Sequence, residues 1–124
     1  MNAYYQLVLQ LPLADFACEL QLPELYREQR RLDPLLLARG QLPIRSFVCP
    51  LACDEVKGDW LDGWFDTRTG WRLVRGIVSL IHDRTLEFDR RDPLLSELFA
   101  LGQRLDVAHM VGVHWQLGLE LELA

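Results

Sequence analysis

Lysine is almost absent from this 124-residue chain: Lys57 is its single lysine, and the other 12 of its 13 basic residues are arginines. The basic residues are outnumbered by 18 acidic ones, which gives a formal net charge of −5 and an isoelectric point near 5.1. Binding to DNA or RNA depends on clustered lysines and arginines that neutralise phosphates. The acidic balance, with its dispersed arginines, therefore argues against nucleic acid as the partner.

Cysteine is scarce, and no apolar run is long. The three cysteines, Cys18, Cys49 and Cys53, cannot all pair with one another, and they do not form the dense disulfide framework of small secreted domains. No apolar stretch approaches the roughly 20 residues that a transmembrane helix needs. The first residues also lack the basic region of a signal peptide. We therefore expect a cytoplasmic protein with no membrane partner.

Signatures of common enzyme classes are missing as well. The sequence has no glycine-rich phosphate loop, no nucleophile elbow and no His-Glu-x-x-His motif. Cys49 and Cys53, with His109 and His114, are the ligand types of a structural zinc site, but their spacing departs from the usual pattern. We therefore expect no metal, no cofactor and no catalytic residues. A small enzyme that combines one of these cysteines with a histidine stays open as the alternative.

Leucine is what the chain has in abundance, with 26 residues, and its positions follow structural periods. From Tyr5 to Leu11 apolar residues alternate with other residues. The same alternation is stricter at the C-terminus, where one face would carry Val113, Trp115, Leu117, Leu119, Leu121 and Leu123. Strict alternation is typical of a strand with one buried face. We predict that both terminal segments belong to one sheet.

Two helix starts are predicted from the tetrapeptide Asp-Pro-Leu-Leu, which occurs at 33–36 and 92–95. In each, the aspartate would be the N-cap and the proline the first helical residue. The first helix is expected to end at Gly40 and the second at about Leu105. Residues 14–31 are also predicted to be helical, with a break near Pro23.

The middle of the chain is predicted to be mostly β-structure. Residues 42–48 are predicted as a short strand, 59–74 as a hairpin around a turn-forming cluster, and 76–88 as a second hairpin. A helix over 72–82 is the alternative to the second hairpin. Together these elements predict a single α+β domain over residues 1–124. It would have a mainly antiparallel sheet, including both terminal strands, with two to four helices packed on one face.

The most unusual segment combines acidic residues with tryptophan. Residues 54–66 hold five acids and one base, and three of the four tryptophans lie between residues 60 and 71. Tryptophan is favoured as an interface anchor, and an acidic rim would steer a basic partner towards it. We predict a partner-binding site formed by Asp59, Trp60, Asp62, Trp64, Asp66 and Trp71. The alternative is that these tryptophans pack in the core while the aspartates are merely solvated.

These observations predict a small non-enzymatic protein-binding module, of the inhibitor, immunity-protein or chaperone-like adaptor type. Its partner would be a protein, for example one with a basic surface. A homodimer is a further possibility, because the C-terminal strand could pair with a copy of itself if it lies at a sheet edge.

Overall fold

Pairing of the two terminal segments forms the sheet. The computed structural model describes residues 2–10, 20–48, 64–83 and 86–122. In it, β1 (Asn2–Leu9) lies between β2 (Gln21–Leu22) and β3 (Trp115–Glu122), and both pairings are antiparallel. The β1–β3 ladder pairs all eight residues of each strand. The prediction that both terminal segments belong to one antiparallel sheet is therefore confirmed.

Three α-helices pack against this sheet. They are α1 (Pro23–Ala38), α2 (Thr67–Ile81) and α3 (Arg91–Val111), and a short 3-10 helix, Ile44–Phe47, follows α1. The predicted α+β fold, with helices packed on an antiparallel sheet, is confirmed. In the part of the chain that the structure describes, no helix is long and apolar enough to cross a membrane.

Trp115 lies at the centre of the core, where the helices meet the sheet. It is fully buried, and its ring stacks on Phe47 with the centroids 5.2 Å apart. Its backbone N–H donates to the carbonyl of Phe65 and its carbonyl accepts from the Phe65 N–H, at 3.0 and 2.8 Å. Its indole Nε1–H donates to the Asp66 carbonyl at 2.8 Å. These contacts hold Phe65 and Asp66, the two residues that precede α2, against β3.

The Asp-Pro pair at 33–34 does not start a helix, contrary to the prediction. A single helix, α1, begins at Pro23 and continues through Pro34. The predicted break at Pro23 is instead the helix start, and the predicted end near Gly40 agrees with the structure. Asp33 is buried, and its carboxylate accepts from the backbone N–H of Ile44 at 2.7 Å. The aspartate thus caps the 3-10 helix that follows, rather than its own helix.

Both predicted hairpins are wrong where the structure describes them, because residues 67–81 form α2. The alternative helix over 72–82 is the correct interpretation. Buried residues recur along α2 at helical spacing, from Thr67 to Ile81, so the core selects a helix despite the local turn signals. The predicted strand at 42–48 is also wrong: it is the 3-10 helix, with one bridge from Val48 to Leu117.

α3 is longer than predicted at its C-terminal end. It extends past Leu105 to Val111 because Ala108 continues its buried face. Gly112 then ends it with a φ of 71°, a left-handed conformation that favours glycine. At the other end the helix begins at Arg91, so Asp92 lies in the first turn instead of at the N-cap. Of the helix predicted over 14–31, residues 14–19 lie outside the described part of the chain, and Gln21–Leu22 form the strand β2 instead.

Candidate functional site

An apolar groove of about 740 Å³ runs between α2 and α3. Its floor is formed by Val74 and Val78 of α2 with Leu95, Leu98 and Gly102 of α3. Leu98 and the backbone of Gly102 also face the protein core, whereas Leu95 is only half-buried. The groove therefore exists because α3 is apolar on a second side, beyond the side that packs into the core.

Trp71 forms one wall of this groove. It is half-buried on α2, and a Cβ atom at Gly102 would lie 3.6 Å from its indole ring. The Trp71 ring therefore lies against α3 at Gly102, at a distance that would also accommodate an alanine there. On the solvent side, the guanidinium of Arg75 lies 5.6 Å from the centre of the same ring, within cation–π range. Trp71 is therefore held between the two helices with one side facing the groove.

Phe99 stands at the opposite wall. It is 71% exposed, although phenylalanine is one of the residue types that proteins bury most readily. Single exposed apolar residues are common and need no explanation. Phe99 differs because it borders a concave apolar surface. Concave apolar surfaces with a few polar groups at their edges are the usual form of binding sites.

The two polar edges of the groove carry charges of opposite sign. On the α2 edge, Arg75 lines the groove, whereas Arg72 lines a separate, smaller pocket with Gln41 and Phe47. α2 contains no aspartate or glutamate. On the α3 edge the charged lining residue is Asp106. The groove lining therefore carries one charge of each sign.

The structure brings one of the six predicted site residues, Trp71, to this groove. Trp64 is half-buried and precedes the Phe65–Trp115 pairing. Asp66 is the N-cap of α2. The other three predicted residues, Asp59, Trp60 and Asp62, lie outside the described residues.

The carboxylate of Asp66 caps the N-terminus of α2. Its carboxylate accepts hydrogen bonds from the backbone N–H and the hydroxyl of Thr69, at 2.8 and 2.5 Å. These hydrogen bonds hold the pKa of Asp66 below its usual value, and the nearby charges of His114 and Arg68 act in the same direction. An N-cap carboxylate of this kind starts a helix by satisfying a backbone donor that has no partner within the helix.

Two of the histidines lie at opposite ends of the α2–α3 pair. His109 Nδ1 is 2.9 Å from the hydroxyl of Thr67, where α2 begins, and His82 Nδ1 is 3.3 Å from the guanidinium of Arg91, where α3 begins. Because α2 has 15 residues, these two ends are about 22 Å apart. His82 and His109 therefore cannot serve one catalytic centre.

The enzyme and zinc hypotheses also involve Cys49 and Cys53, which lie outside the described residues. Among the residues that are described, no group of three His, Cys, Asp or Glu side chains could hold a metal ion.

The groove was not predicted from the sequence, although α3 carries one signal for it. Leu95 and Phe99 are spaced by four on α3, and Gly102 follows on the same side. This second apolar stripe lies beside the buried stripe through Leu94 and Leu98, of which Leu98 also lines the groove. A helix with two apolar sides needs a second neighbour, and that neighbour cannot be identified from the helix sequence alone.

Comparison with known proteins gives no relative from which a function could be inferred, so the function is inferred from the groove. No protein-family model, no curated protein and no solved structure matches this chain significantly.

Proposed function

We propose that this protein is a non-enzymatic protein-binding module whose α2–α3 groove receives an apolar segment of a protein partner. The observation that carries the proposal is the exposure of Phe99 beside an apolar groove of about 740 Å³. Covering a phenylalanine side chain stabilises a complex by about 2 kcal/mol, and buried aromatic anchors dominate the energetics of many interfaces.

The length of the groove suits a segment of polypeptide chain. Its lining runs from Trp71 to Ser79 on α2 and from Leu95 to Asp106 on α3. At 1.5 Å per residue these lengths are about 12 and 16 Å, or two to three helical turns. A surface between two helices, with apolar residues along its floor, suits the helix-in-groove mode of recognition.

Of the acidic, tryptophan-rich segment, Trp71 contributes to the proposed binding site, because it forms one wall of the groove. The predicted contributions of Asp59, Trp60 and Asp62 stay predictions. An inhibitor, an immunity-type protein and a chaperone-like adaptor are the partner-binding classes that we propose, in a cytoplasmic location. A reducing location is supported by the odd number of cysteines in the sequence.

The test is to capture partners from the native host with three forms of the full chain: wild type, Phe99→Ser and Met110→Ser. Met110 is the matched control, because it is an apolar residue of α3 that is 83% exposed but does not line the groove. We expect wild type and Met110→Ser to retain one stoichiometric partner and Phe99→Ser to lose it. Thermal unfolding of all three forms checks that the fold survives.

The proposal is wrong if wild type retains no stoichiometric partner. It is also wrong if the Phe99→Ser variant retains the same partner as wild type.

A further inference from the structure

Two acidic side chains are brought together where α1 begins. Glu97 of α3 accepts hydrogen bonds from the backbone N–H groups of Glu24 and Leu25, at 2.8 and 2.9 Å. The Glu24 side chain is only 7% exposed, and its negative charge acts on the Glu97 carboxylate. The contact between α1 and α3 therefore holds one almost fully buried carboxylate beside a half-buried one.

Positive charge at this contact is directed to one of the two carboxylates. Arg90 donates from Nε to Glu24 Oε1 at 2.6 Å, and Arg27 Nη1 lies 3.7 Å from Glu24 Oε2. Among the described residues, no basic side chain lies within ion-pairing distance of the Glu97 carboxylate. Glu97 therefore has hydrogen-bond donors but no counter-ion in contact with it.

Glu24 Oε2 is a buried acceptor that lacks a donor. Within the part of the chain that the structure describes, this oxygen makes no hydrogen bond. Buried polar atoms are normally satisfied, and an unsatisfied one costs free energy. Because the neighbouring Glu97 is itself a carboxylate, it can supply a donor only by taking up a proton. A protonated carboxyl group keeps acceptor capacity, so the cap of α1 survives protonation.

We infer that the contact between α1 and α3 is proton-linked: the folded chain takes up a proton at the Glu24–Glu97 pair more readily than the unfolded chain does. In the unfolded chain both carboxylates are solvated, so neither needs a donor or a counter-ion from the protein. The charged groups that face the pair are Arg27 on α1 and Arg90 before α3, and both contact Glu24. Uptake of the proton removes the uncompensated charge of Glu97, so mild acid strengthens the contact.

The pKa of Glu97 agrees with this geometry. Burial raises the pKa above its usual value, and the charge of Glu24 acts in the same direction, while the two backbone hydrogen bonds and Arg27 oppose the rise. A carboxyl group whose pKa is higher in the folded chain than in the unfolded chain stabilises the fold at low pH. That stabilisation is lost as the pH rises through the folded-state pKa. The contact should therefore gain stability when the solution is acidified from neutral pH.

The test measures urea unfolding at about pH 7 and about pH 5 for three forms of the full chain: wild type, Glu24→Gln and Glu87→Gln. In Glu24→Gln the amide oxygen can still accept from Arg90, and the amide N–H supplies the missing donor without a proton. Glu87→Gln is the matched control, because it removes the same charge from an exposed residue that contacts Arg31 only through its backbone carbonyl. Histidines titrate equally in all three forms, so the difference between the forms isolates the contact.

We expect acidification to shift the urea midpoint of wild type and Glu87→Gln upwards relative to that of Glu24→Gln. Equal pH dependence of the three forms, or a larger upward shift in Glu24→Gln, would overturn the inference.

A second measurement does not depend on the variants. Carbon-detected NMR follows the side-chain carboxyl signals of Glu97 and Glu87 in the wild-type chain as the pH is lowered. We expect the Glu97 signal to titrate at a higher pH than the Glu87 signal. If Glu97 titrates at the same pH as Glu87 or at a lower one, the folded chain does not hold the proton and the inference is wrong.

Discussion

At the scale of single residues, two glycines show how closely the helices of this protein approach their neighbours. A Cβ atom at Gly70 on α2 would lie 2.8 Å from the Leu105 side chain and 2.8 Å from the Trp115 indole. The indole cannot easily move, because it stacks on Phe47 and donates to the Asp66 carbonyl. A Cβ atom at Gly102, by contrast, would make an ordinary contact with Trp71.

We predict opposite effects of alanine at these two positions. Gly70→Ala should lower the free energy of unfolding by about 2 kcal/mol, because it overpacks a rigid part of the core. Gly102→Ala should raise it by up to about 1 kcal/mol, because alanine favours a helix interior over glycine. Urea unfolding of both variants and of wild type measures the difference. A stable Gly70→Ala variant would mean that α2 does not lie this close to Trp115.

At the scale of elements, α1 depends on α3 for its N-terminal cap. The N-cap residue of α1, Leu22, has no side chain that can accept a hydrogen bond. Glu97 of α3 accepts instead from the backbone N–H groups of Glu24 and Leu25, at 2.8 and 2.9 Å. The partial positive charge at a helix start also favours a carboxylate there. Burial raises the pKa of Glu97 in spite of these hydrogen bonds.

Loss of this cap should be measurable in the stability of the whole fold. We predict that Glu97→Ala lowers the free energy of unfolding by about 1 to 2 kcal/mol, because two backbone donors at the start of α1 lose their acceptor. Glu87→Ala is the control, since Glu87 is exposed and uses its backbone carbonyl, not its carboxylate, to contact Arg31. Equal stability of the two variants in chemical denaturation would exclude a capping role for Glu97.

Elements with a strong local pattern were predictable, and elements whose capping groups come from elsewhere were not. The terminal strands were identified from alternation because one face of each is buried against the helices. The start of α1 was misplaced because Asp33 is directed towards Ile44, a contact that local sequence does not reveal. α2 was mistaken for a hairpin because its first residues resemble a turn, whereas Asp66 caps a helix there.

At the scale of the whole molecule, the candidate site was only partly predictable. The clustering of tryptophans between residues 60 and 71 predicts Trp71 as a site residue, and Trp71 does line the groove. Phe99 and Gly102 are not predictable as site residues, because nothing in the sequence places α3 beside α2. A groove between two helices is a property of their packing, so it becomes visible only when both are in position.

The β1–β3 ladder should also define the cooperative unit of the molecule. It is the longest strand pairing among the described residues, and it carries Leu7 and Leu117 into the core. We predict that the slowest-exchanging backbone amides lie in this ladder and that their exchange requires global unfolding. β2 has only two residues and should exchange through local opening. Hydrogen exchange read by NMR would contradict this prediction if the ladder opened at a lower free energy than α2.

The same pairing has a consequence for synthesis on the ribosome. β1 is translated before the three helices, whereas its long partner strand, β3, is translated after them. Until β3 leaves the exit tunnel, β1 has an unpaired edge, and the core lacks Trp115. Helices that form early therefore cannot complete the fold, and a chain that stops within α3 leaves apolar surface exposed to chaperones and proteases. Because β3 follows all three helices, the sheet and the core are completed only after β3 has been released.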